Sequence, residues 1–243
     1  MLPEPRTWHL EVAAVQDVTP RMRRVQLTSP TLDAFDYLQG QDLALVFRRG
    51  ADPTVRRRYT IRRFDRGRRL LELEFVMHGD GPGMRRAQAA QPGSTIETVG
   101  PRGKITLASG ADWHLFAGDA TALPGAFAMM EAVAASVPAL AFLRVDGPQE
   151  RQPLPNDRPD RDVSWWYEWP NPAEGDGLVA ALAAAELPGG RGHAYLAGEV
   201  ALVTALKATL ESGGWTTDQI SAKAYWNRGR ANAGHGEPEL KAS

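Results

Sequence analysis

The first part of the chain has the hydrophobic pattern of short strands separated by turns. The candidate strands are WHLEVAAVQ, MRRVQLTS, DLALVFRR, RRRYTIRR and LLELEFVMH. In the last of these, apolar residues from Leu71 to Met77 alternate with Glu72, Glu74 and Val76. That alternation has a period of two, so we expect a strand with one buried and one exposed face.

Glycine and proline then mark a helix and two further strands. GDGPGMRRAQAAQPG predicts a short helix that begins near Pro82 and ends before Pro92, and STIETV and GKITLA predict strands. Six or more antiparallel strands with one short helix indicate a closed β-barrel.

From Trp113 onward, strands alternate with longer helical segments. The strand candidates are WHLFAG, ALAFLRVD, VSWWYEW, GHAYLAG and QISAKAYW, and the helix candidates are TALPGAFAMMEAVAAS, DGLVAALAAAEL and EVALVTALKATLESGG. This alternation predicts an α/β domain with a mostly parallel sheet. We therefore expect two domains, a barrel at residues 1–110 and an α/β domain at residues 111–243, with the boundary between Ala108 and Asp112.

Composition excludes several kinds of site. The chain has no cysteine, so it supplies no disulfide, cysteine nucleophile, iron–sulfur cluster or thiolate zinc site. Its five histidines are scattered without metal-ligand spacing, and we expect no metal site. The N-terminus has no basic region followed by an apolar run, and no apolar stretch is long enough to cross a bilayer. We expect a cytoplasmic protein without a membrane partner.

Charge is divided unevenly along the chain. The first 110 residues hold 18 basic and 12 acidic side chains, whereas the remainder holds 10 and 17. Arginines concentrate in VRRRYTIRRFDRGRR, from Val55 to Arg69. Such a run attracts anions, namely cofactor phosphates, an acidic ligand or nucleic acid, unless it is only a solvated face. No nucleic-acid-binding module accompanies it, so we expect no nucleic-acid partner.

A barrel followed by an α/β domain resembles the ferredoxin-reductase-like flavoproteins. Arg57, Tyr59 and Thr60 fit the Arg-x-Tyr-Ser/Thr pattern by which that superfamily holds its flavin. An arginine can pair with the pyrophosphate, a tyrosine ring offers a flat face to the isoalloxazine, and a hydroxyl can hydrogen-bond near flavin N5. An ordinary arginine-rich strand with one tyrosine is the alternative.

Five segments extend the resemblance over essentially the whole chain. They are HGDGPGMRRA, PGSTIETVGPRG, AGDATALPGAF, AGE and AYWNRG. In the first, glycines let backbone N–H groups approach a phosphate at a helix N-terminus, although an ordinary Gly-Pro turn has the same composition. Together the segments resemble the motif series of the siderophore-interacting protein family. That family implies an FAD-dependent enzyme that passes electrons from NADPH or NADH to a ferric siderophore.

The resemblance assigns roles to individual residues. Tyr59 and Thr60 would lie at the reacting part of the flavin, and Tyr225 and Trp226 would close over it unless they are a core aromatic pair. The complete set implied to bind cofactor is Arg57, Tyr59, Thr60, His78, Gly81, Gly83, Met84, Thr121, Ala122, Tyr225 and Trp226. The sequence departs from the family pattern at Arg86, Ser94 and Ala120, which bears on the nicotinamide pocket.

Iron(III) in a siderophore is held by hard oxygen donors, and reduction to iron(II) weakens that grip without any protein ligand for iron. We expect Arg48, Arg49 and Arg62 to contact the anionic complex. Arg144 ends a strand and would pair with a ribose 2′-phosphate, or it is a surface arginine. Reduced ferredoxin is a second candidate donor. A general NAD(P)H:flavin or ferredoxin-type reductase and a non-catalytic flavin- or siderophore-binding module remain alternatives.

Overall fold

The computed structural model describes residues 4–49, 52–79, 81–153, 161–168 and 177–228. The chain forms two compact units. The first comprises Met1–Leu107 together with Phe127–Ala132, and the second comprises Ala108–Ala126 together with Val133–Ser243. The division into functional domains at residues 1–110 and 111–243 stays a prediction.

The first unit contains a closed barrel of six strands in the order β1-β2-β5-β4-β3-β6, and every neighbouring pair is antiparallel. The strands are β1 (Arg6–Thr19), β2 (Met22–Thr28), β3 (Asp42–Arg49), β4 (Asp52–Asp65), β5 (Leu70–Val76) and β6 (Thr95–Arg102). Helix α1 (Pro82–Ala89) follows β5, where the Gly-Pro signal predicted it. The predicted barrel and its one short helix are confirmed.

Two local predictions for this unit are wrong. GKITLA forms no strand, and Gly103, with φ +103°, has a left-handed conformation that interrupts the extended chain directly after β6. The glutamate face of strand β5 is not exposed at Glu74, a residue that is only 4% exposed. Arg24 from β2 and Arg62 from β4 pair with that carboxylate, so ionic contacts bury the face that the alternating pattern had left to solvent.

The second unit contains a parallel five-stranded sheet in the order β11-β10-β7-β8-β9, which confirms the predicted α/β architecture. Its strands are β7 (Trp113–Asp119), β8 (Ala139–Val145), β9 (Arg161–Tyr167), β10 (Gly192–Glu199) and β11 (Ile220–Trp226). Its helices are α2 (Leu123–Ala132), whose second half clusters with the first unit, α3 (Gly177–Ala184) and α4 (Val200–Ser212).

Connections at the carboxyl end of this sheet are very short. A single 3-10 turn at Ala120–Ala122 joins β7 to α2, where a continuous helix from residue 121 was predicted. The Asp119 side chain accepts a hydrogen bond from the Thr121 backbone N–H and so favours the tighter turn. Strand β10 passes directly into α4, whose first N–H groups are capped by the Glu199 carboxylate.

Among the described helices, none has the length and apolar character needed to cross a membrane.

Candidate functional site

In the barrel unit, strand β4 and helix α1 meet through Tyr59. A Cβ atom added to Gly83 would overlap the Tyr59 hydroxyl oxygen and lie 2.7 Å from Cζ of that ring. The Tyr59 ring also lies 4.2 Å from the ring of Phe75, measured between centroids. Only glycine fits at position 83 while the Tyr59 phenol keeps this position. Two residues predicted from separate motifs, Tyr59 on β4 and Gly83 at the start of α1, are therefore in contact with each other.

Burial keeps the Tyr59 phenol protonated. Desolvation raises the pKa of Tyr59 to about 12, and the positive charge of Arg57 opposes that shift. The hydroxyl is therefore a neutral donor and acceptor throughout the physiological range. A neutral phenol places no negative charge beside the start of α1.

The first turn of α1 suits an anion. Its N-cap is Gly81, with an extended backbone and no side-chain cap, Pro82 occupies the first helical position, and no acidic residue follows in the first turn. A helix start without a side-chain cap presents unsatisfied N–H donors and partial positive charge. Among the described residues, none apart from the chain neighbours of Gly81 has an atom within 4 Å of a Cβ added there, so no described side chain fills the space beside this glycine.

The other residues of the barrel unit that were predicted to bind the flavin are close in sequence to Tyr59 or to the start of α1. Arg57 lies two residues before Tyr59 on β4 and donates from Nη1 to the Arg56 carbonyl, 2.8 Å away. Thr60 pairs with Asp42 in the ladder between β3 and β4. His78 is exposed after β5, and Met84 is half-buried in the first turn of α1.

The three predicted siderophore contacts have different outcomes. Arg48 and Arg49 end strand β3, and their side chains lie outside the described residues. An exposed contact at Arg62 is contradicted, because its side chain is only 4% exposed. Its Nη2 atom lies 2.5 Å from Oε1 of Glu131, and its guanidinium carbon lies 5.9 Å from the centroid of Phe127. Arg62 is an interior ion-pair residue of the barrel unit.

In the α/β unit, the carboxyl end of the sheet is organised by Asp119, which sequence reasoning did not single out. Its Oδ1 accepts from the Thr121 backbone N–H at 2.8 Å and from the Thr121 hydroxyl at 2.6 Å. Its Oδ2 accepts from the Glu199 N–H at 2.7 Å and from the Trp226 indole N–H at 2.9 Å. Asp119 thus brings together two predicted site residues, Thr121 and Trp226, that are about a hundred positions apart.

The backbone is also closely packed at this carboxyl end of the sheet. A Cβ on Gly118 would overlap the Ala197 carbonyl oxygen and lie 2.8 Å from Cβ of Ala122. Ala122 is itself buried, so its side chain serves packing and any contact with a cofactor would come from its backbone. The glycine in the AGDAT segment was the available sequence signal for this packing.

Tyr225 and Arg144 lie near the same ends of their strands. The Tyr225 ring is half-buried and has the Lys223 ammonium 5.5 Å from its centroid. Arg144 is not a surface arginine, since its side chain is 11% exposed and its Nη2 lies 3.7 Å from Oε1 of Glu168. The same carboxylate oxygen accepts from Arg228 at 3.1 Å. Ala120, one of the departures from the family pattern, lies half-buried in the 3-10 turn.

Comparison with known proteins decides which family this arrangement represents. The family model for the siderophore-interacting protein matches residues 111–229, and the model for the siderophore-interacting FAD-binding domain matches residues 40–105. The chain belongs to the siderophore-interacting protein family. It therefore carries that family's FAD-binding domain in the barrel unit.

Relatives and solved structures agree with this membership. The ferric vibriobactin reductase ViuB of Vibrio cholerae is 34% identical over 183 residues, which are 72% of this chain and 66% of that protein. The NADPH-dependent ferric-chelate reductase of Escherichia coli is 24% identical over 169 residues, which are 68% of this chain and 63% of that protein. The chain thus spans slightly less than two thirds of the length of these relatives. A siderophore utilization protein from T. fusca superposes with a TM-score of 0.86 at 29% identity, covering 97% of this chain and 98% of that one.

The residues of the barrel unit fit FAD. The open start of α1 has N–H donors for a phosphate and no acidic side chain in its first turn. The Tyr59 phenol fixes that turn by its contact with Gly83, and Arg57 supplies a cation on the same strand. An aromatic ring, a cation and a phosphate-binding turn are what a flavin dinucleotide requires of its site.

Proposed function

We propose that the protein is an FAD-dependent reductase that passes electrons from NADPH or NADH to a ferric siderophore and releases iron(II). The observation that carries the proposal is the contact between Tyr59 and Gly83 at the open start of α1, in a segment that matches the family's FAD-binding domain. The names of the two curated relatives, both ferric reductases, support the choice of acceptor.

In this proposal, the barrel residues bind and orient the flavin. Arg57 pairs with the diphosphate, and the backbone of Gly81, Gly83 and Met84 donates to it. Tyr59 offers a neutral aromatic face, since burial raises its pKa to about 12. The Thr60 hydroxyl hydrogen-bonds the reacting edge of the ring system, and His78 lies beside it.

FAD, when bound, supplies a group that accepts a hydride from a nicotinamide and gives up electrons one at a time. Each iron(III) takes one electron and becomes iron(II), which the hard oxygen donors of a siderophore hold far less strongly. The chain's own residues need supply no ligand to the iron. Within the described residues, no group of three or more His, Asp or Glu side chains is placed to hold a metal ion.

The α/β unit would serve the electron donor. Thr121 and the backbone of Ala122 open this unit at the carboxyl end of β7, which is the edge where open α/β sheets bind ligands. Tyr225 and Trp226 would cover the flavin from the end of β11. Arg144 is partly buried beside Glu168, so a 2′-phosphate would have to compete with that carboxylate for the guanidinium. Reduced ferredoxin remains the alternative donor.

The decisive experiment combines a flavin titration with two acceptor assays. We expect the purified protein to be yellow, or to bind added FAD with a characteristic change of the visible spectrum. Oxidation of NADPH or NADH should then depend on a ferric siderophore, and a chromogenic iron(II) chelator should trap the product. Failure to bind FAD would overturn the proposal. Faster reduction of free flavin than of any ferric siderophore would indicate the general flavin reductase instead, and absence of nicotinamide oxidation with every acceptor would leave ferredoxin or a non-catalytic role.

The flavin contact is tested by Tyr59→Ala. Loss of the ring should weaken FAD binding by about 1–3 kcal/mol, the usual effect of losing an aromatic stacking partner. Tyr37→Ala is the matched control, because Tyr37 also packs against the barrel core but is not predicted to touch the cofactor. Equal FAD affinity in the two folded variants would show that Tyr59 is only a strand residue.

A further inference from the structure

Two aspartates tie the same pair of strands together at opposite ends. Before β7, Oδ2 of Asp112 accepts from the Arg191 N–H at 2.7 Å. At the end of β7, Oδ2 of Asp119 accepts from the Glu199 N–H, also at 2.7 Å. Strand β10 begins and ends beside these two N–H groups. Each carboxylate therefore adds one hydrogen bond to the ladder between β7 and β10, and at the first end the Asp112 N–H also donates to the Arg191 carbonyl at 2.8 Å.

The backbone around the two ties is also alike. Gly190 and Gly198 have φ +90° and +136°, and a Cβ on either would lie 2.6 Å from Oδ2 of its aspartate. Both glycines let the chain pass close to a carboxylate in a conformation that other residues rarely adopt. The two ends are thus alike in one respect, since each aspartate side chain accepts one backbone N–H from the neighbouring segment of chain.

Asp119 differs from Asp112 in what else it holds. Three more hydrogen bonds end on its carboxylate, two from Thr121 and one from the Trp226 indole. None of the donors is charged, and the Asp119 side chain is buried. Fastening the strands does not require these bonds, whereas fixing the orientation of the Thr121 hydroxyl and the Trp226 ring does.

We propose that Asp119 is a positioning residue that sets the orientation of Trp226 and Thr121 at the carboxyl end of the parallel sheet. Each carboxylate oxygen accepts two donors, so the position of the indole N–H and the shape of the Thr121 turn are specified by one side chain. This role in orienting Trp226 and Thr121 is inferred from the hydrogen bonds alone. Its consequence for electron transfer rests on the proposed function, in which Trp226 covers the flavin and Thr121 lies on the nicotinamide side.

Substitution by asparagine distinguishes the hydrogen bond to the neighbouring strand from the orientation of Trp226 and Thr121. An amide has one acceptor oxygen, and its NH₂ group cannot accept. Asp112→Asn can turn its oxygen toward the Arg191 N–H and keep its tie. Asp119→Asn cannot, because whichever oxygen becomes NH₂ leaves two donors without an acceptor.

The test reads the Trp226 indole directly, in protein without FAD. Trp226→Phe identifies the indole N–H resonance in a ¹H–¹⁵N correlation spectrum by its disappearance. We expect Asp119→Asn to shift that resonance and speed its exchange with solvent, and Asp112→Asn to leave it in place. An unchanged Trp226 resonance in Asp119→Asn would overturn the proposal, as would an equal shift in Asp112→Asn.

Kinetics of the FAD-loaded protein provide the second measurement. Asp119→Asn should lower kcat/KM for the nicotinamide about tenfold, the effect of about one charge-assisted hydrogen bond, while Asp112→Asn stays near the unmodified protein. Equal losses in the two variants would mean that the loss does not come from the orientation of Trp226 and Thr121, and would overturn the proposal.

If Asp119→Asn does not fold, exchange in the unmodified protein decides the matter. The Trp226 indole N–H should then be protected from exchange relative to a fully exposed indole, and rapid exchange would overturn the proposal.

The two proposals can also be told apart. If the protein binds no FAD, but the Trp226 indole N–H is protected and that protection is lost in Asp119→Asn, the positioning role is upheld and the proposed reductase is refuted.

Discussion

The two units of the molecule bury carboxylates in opposite ways. In the barrel, Glu74 is surrounded by charge: Nη2 of Arg24 lies 2.5 Å from its Oε1, and Nε of Arg62 lies 3.9 Å from the same atom. In the α/β unit, Asp119 is held by four uncharged donors. Both carboxylates are buried, yet only the second has a hydrogen bond to each of its oxygens.

The difference concerns how completely each group is satisfied. Among the residues that the structure describes, Oε2 of Glu74 and both Nε and Nη1 of Arg62 are buried without a hydrogen-bond partner. The barrel cluster is held by ion pairs, in which Arg24 also lies 3.6 Å from Glu72 and Arg62 also pairs with Glu131, so removing Glu74 leaves each arginine one acidic neighbour. The Asp119 network depends on geometry, and its disturbance should alter orientation before it alters stability. The predictions below test this contrast, beginning with the largest effect.

Glu74→Gln should be the most damaging single change. It keeps the shape of the side chain but removes the carboxylate to which Arg24 donates, while Glu72 and Glu131 remain beside Arg24 and Arg62, so we expect a loss of about 1.5–3 kcal/mol of unfolding free energy, the usual contribution of a hydrogen bond to a charged group. Denaturant unfolding measures the loss. Because the cluster is buried, added salt should not reduce it.

The control for that charge effect is Asp17→Asn. Oδ1 of Asp17 lies 2.7 Å from Nε of Arg23, but the Asp17 side chain is 59% exposed. Exposed pairs contribute little, so the variant should unfold nearly as the unmodified protein does. If both substitutions cost the same, the idea that burial makes the barrel cluster costly to break would be wrong.

Gly83→Ala probes a barrel contact without charge. The new methyl group must displace the Tyr59 phenol, and we expect a loss of about 1–3 kcal/mol of unfolding free energy, together with weaker FAD binding. Gly81→Ala is the matched control for stability, because in the described part of the chain a Cβ there meets nothing within 4 Å. Thermal unfolding of the two variants side by side gives the comparison, and similar melting temperatures would show that the Tyr59 contact yields easily.

A smaller effect should come from His193 in the α/β unit, whose Nε2 lies 3.0 Å from the uncharged Ser221 hydroxyl. Burial, and then the charge of Arg191, lower the pKa of His193, while Asp218 opposes the shift. The folded state therefore resists protonation. The stabilising contribution is present above the unfolded pKa near 6.5 and is lost as the pH falls through that value toward the folded pKa.

His193→Gln should accordingly flatten the decline of unfolding free energy between about pH 7 and about pH 5. His9→Gln is the control, since His9 is exposed on β1. A decline that is as steep in His193→Gln as in the unmodified protein would assign the acid sensitivity to other groups.

Local patterns predicted most of the strands and helices, although not the end of the barrel strands at GKITLA, and they did not predict the partners of buried polar groups. The period of two in β5 identified a strand, yet it could not reveal that Arg24, fifty positions earlier, would cover Glu74. The glycines around residue 81 predicted the start of α1, because a turn leaves a mark in a few adjacent residues. Likewise, Tyr59 was found through a short motif, whereas its contact with Gly83 required the fold.

Asp119 shows the same limit more sharply. Its donors come from positions 121, 199 and 226, and only the first is close in sequence. The segment AGDAT drew attention to Thr121 and Ala122, but nothing in a single sequence joins the aspartate to a tryptophan beyond the next three strands. The expectation for Arg62 was wrong because a run of arginines in a sequence suggests an exposed, charged surface. The glutamates that bury Arg62 come from other elements, and a single sequence does not show that they face it.

At the carboxyl end of the sheet, the connections from β7 to α2 and from β10 to α4 contain almost no loop residues. Strand β10 ends at Glu199 and α4 begins at Val200, and only the turn at Ala120–Ala122 separates β7 from α2. A residue inserted at either junction could not be absorbed by a loop. It would rotate the following helix by about 100°, the turn per residue of an α-helix, and carry that helix's apolar side chains away from the sheet. Length variation in this unit should therefore be accepted after Gly213, where α4 has already ended, and refused at these two junctions.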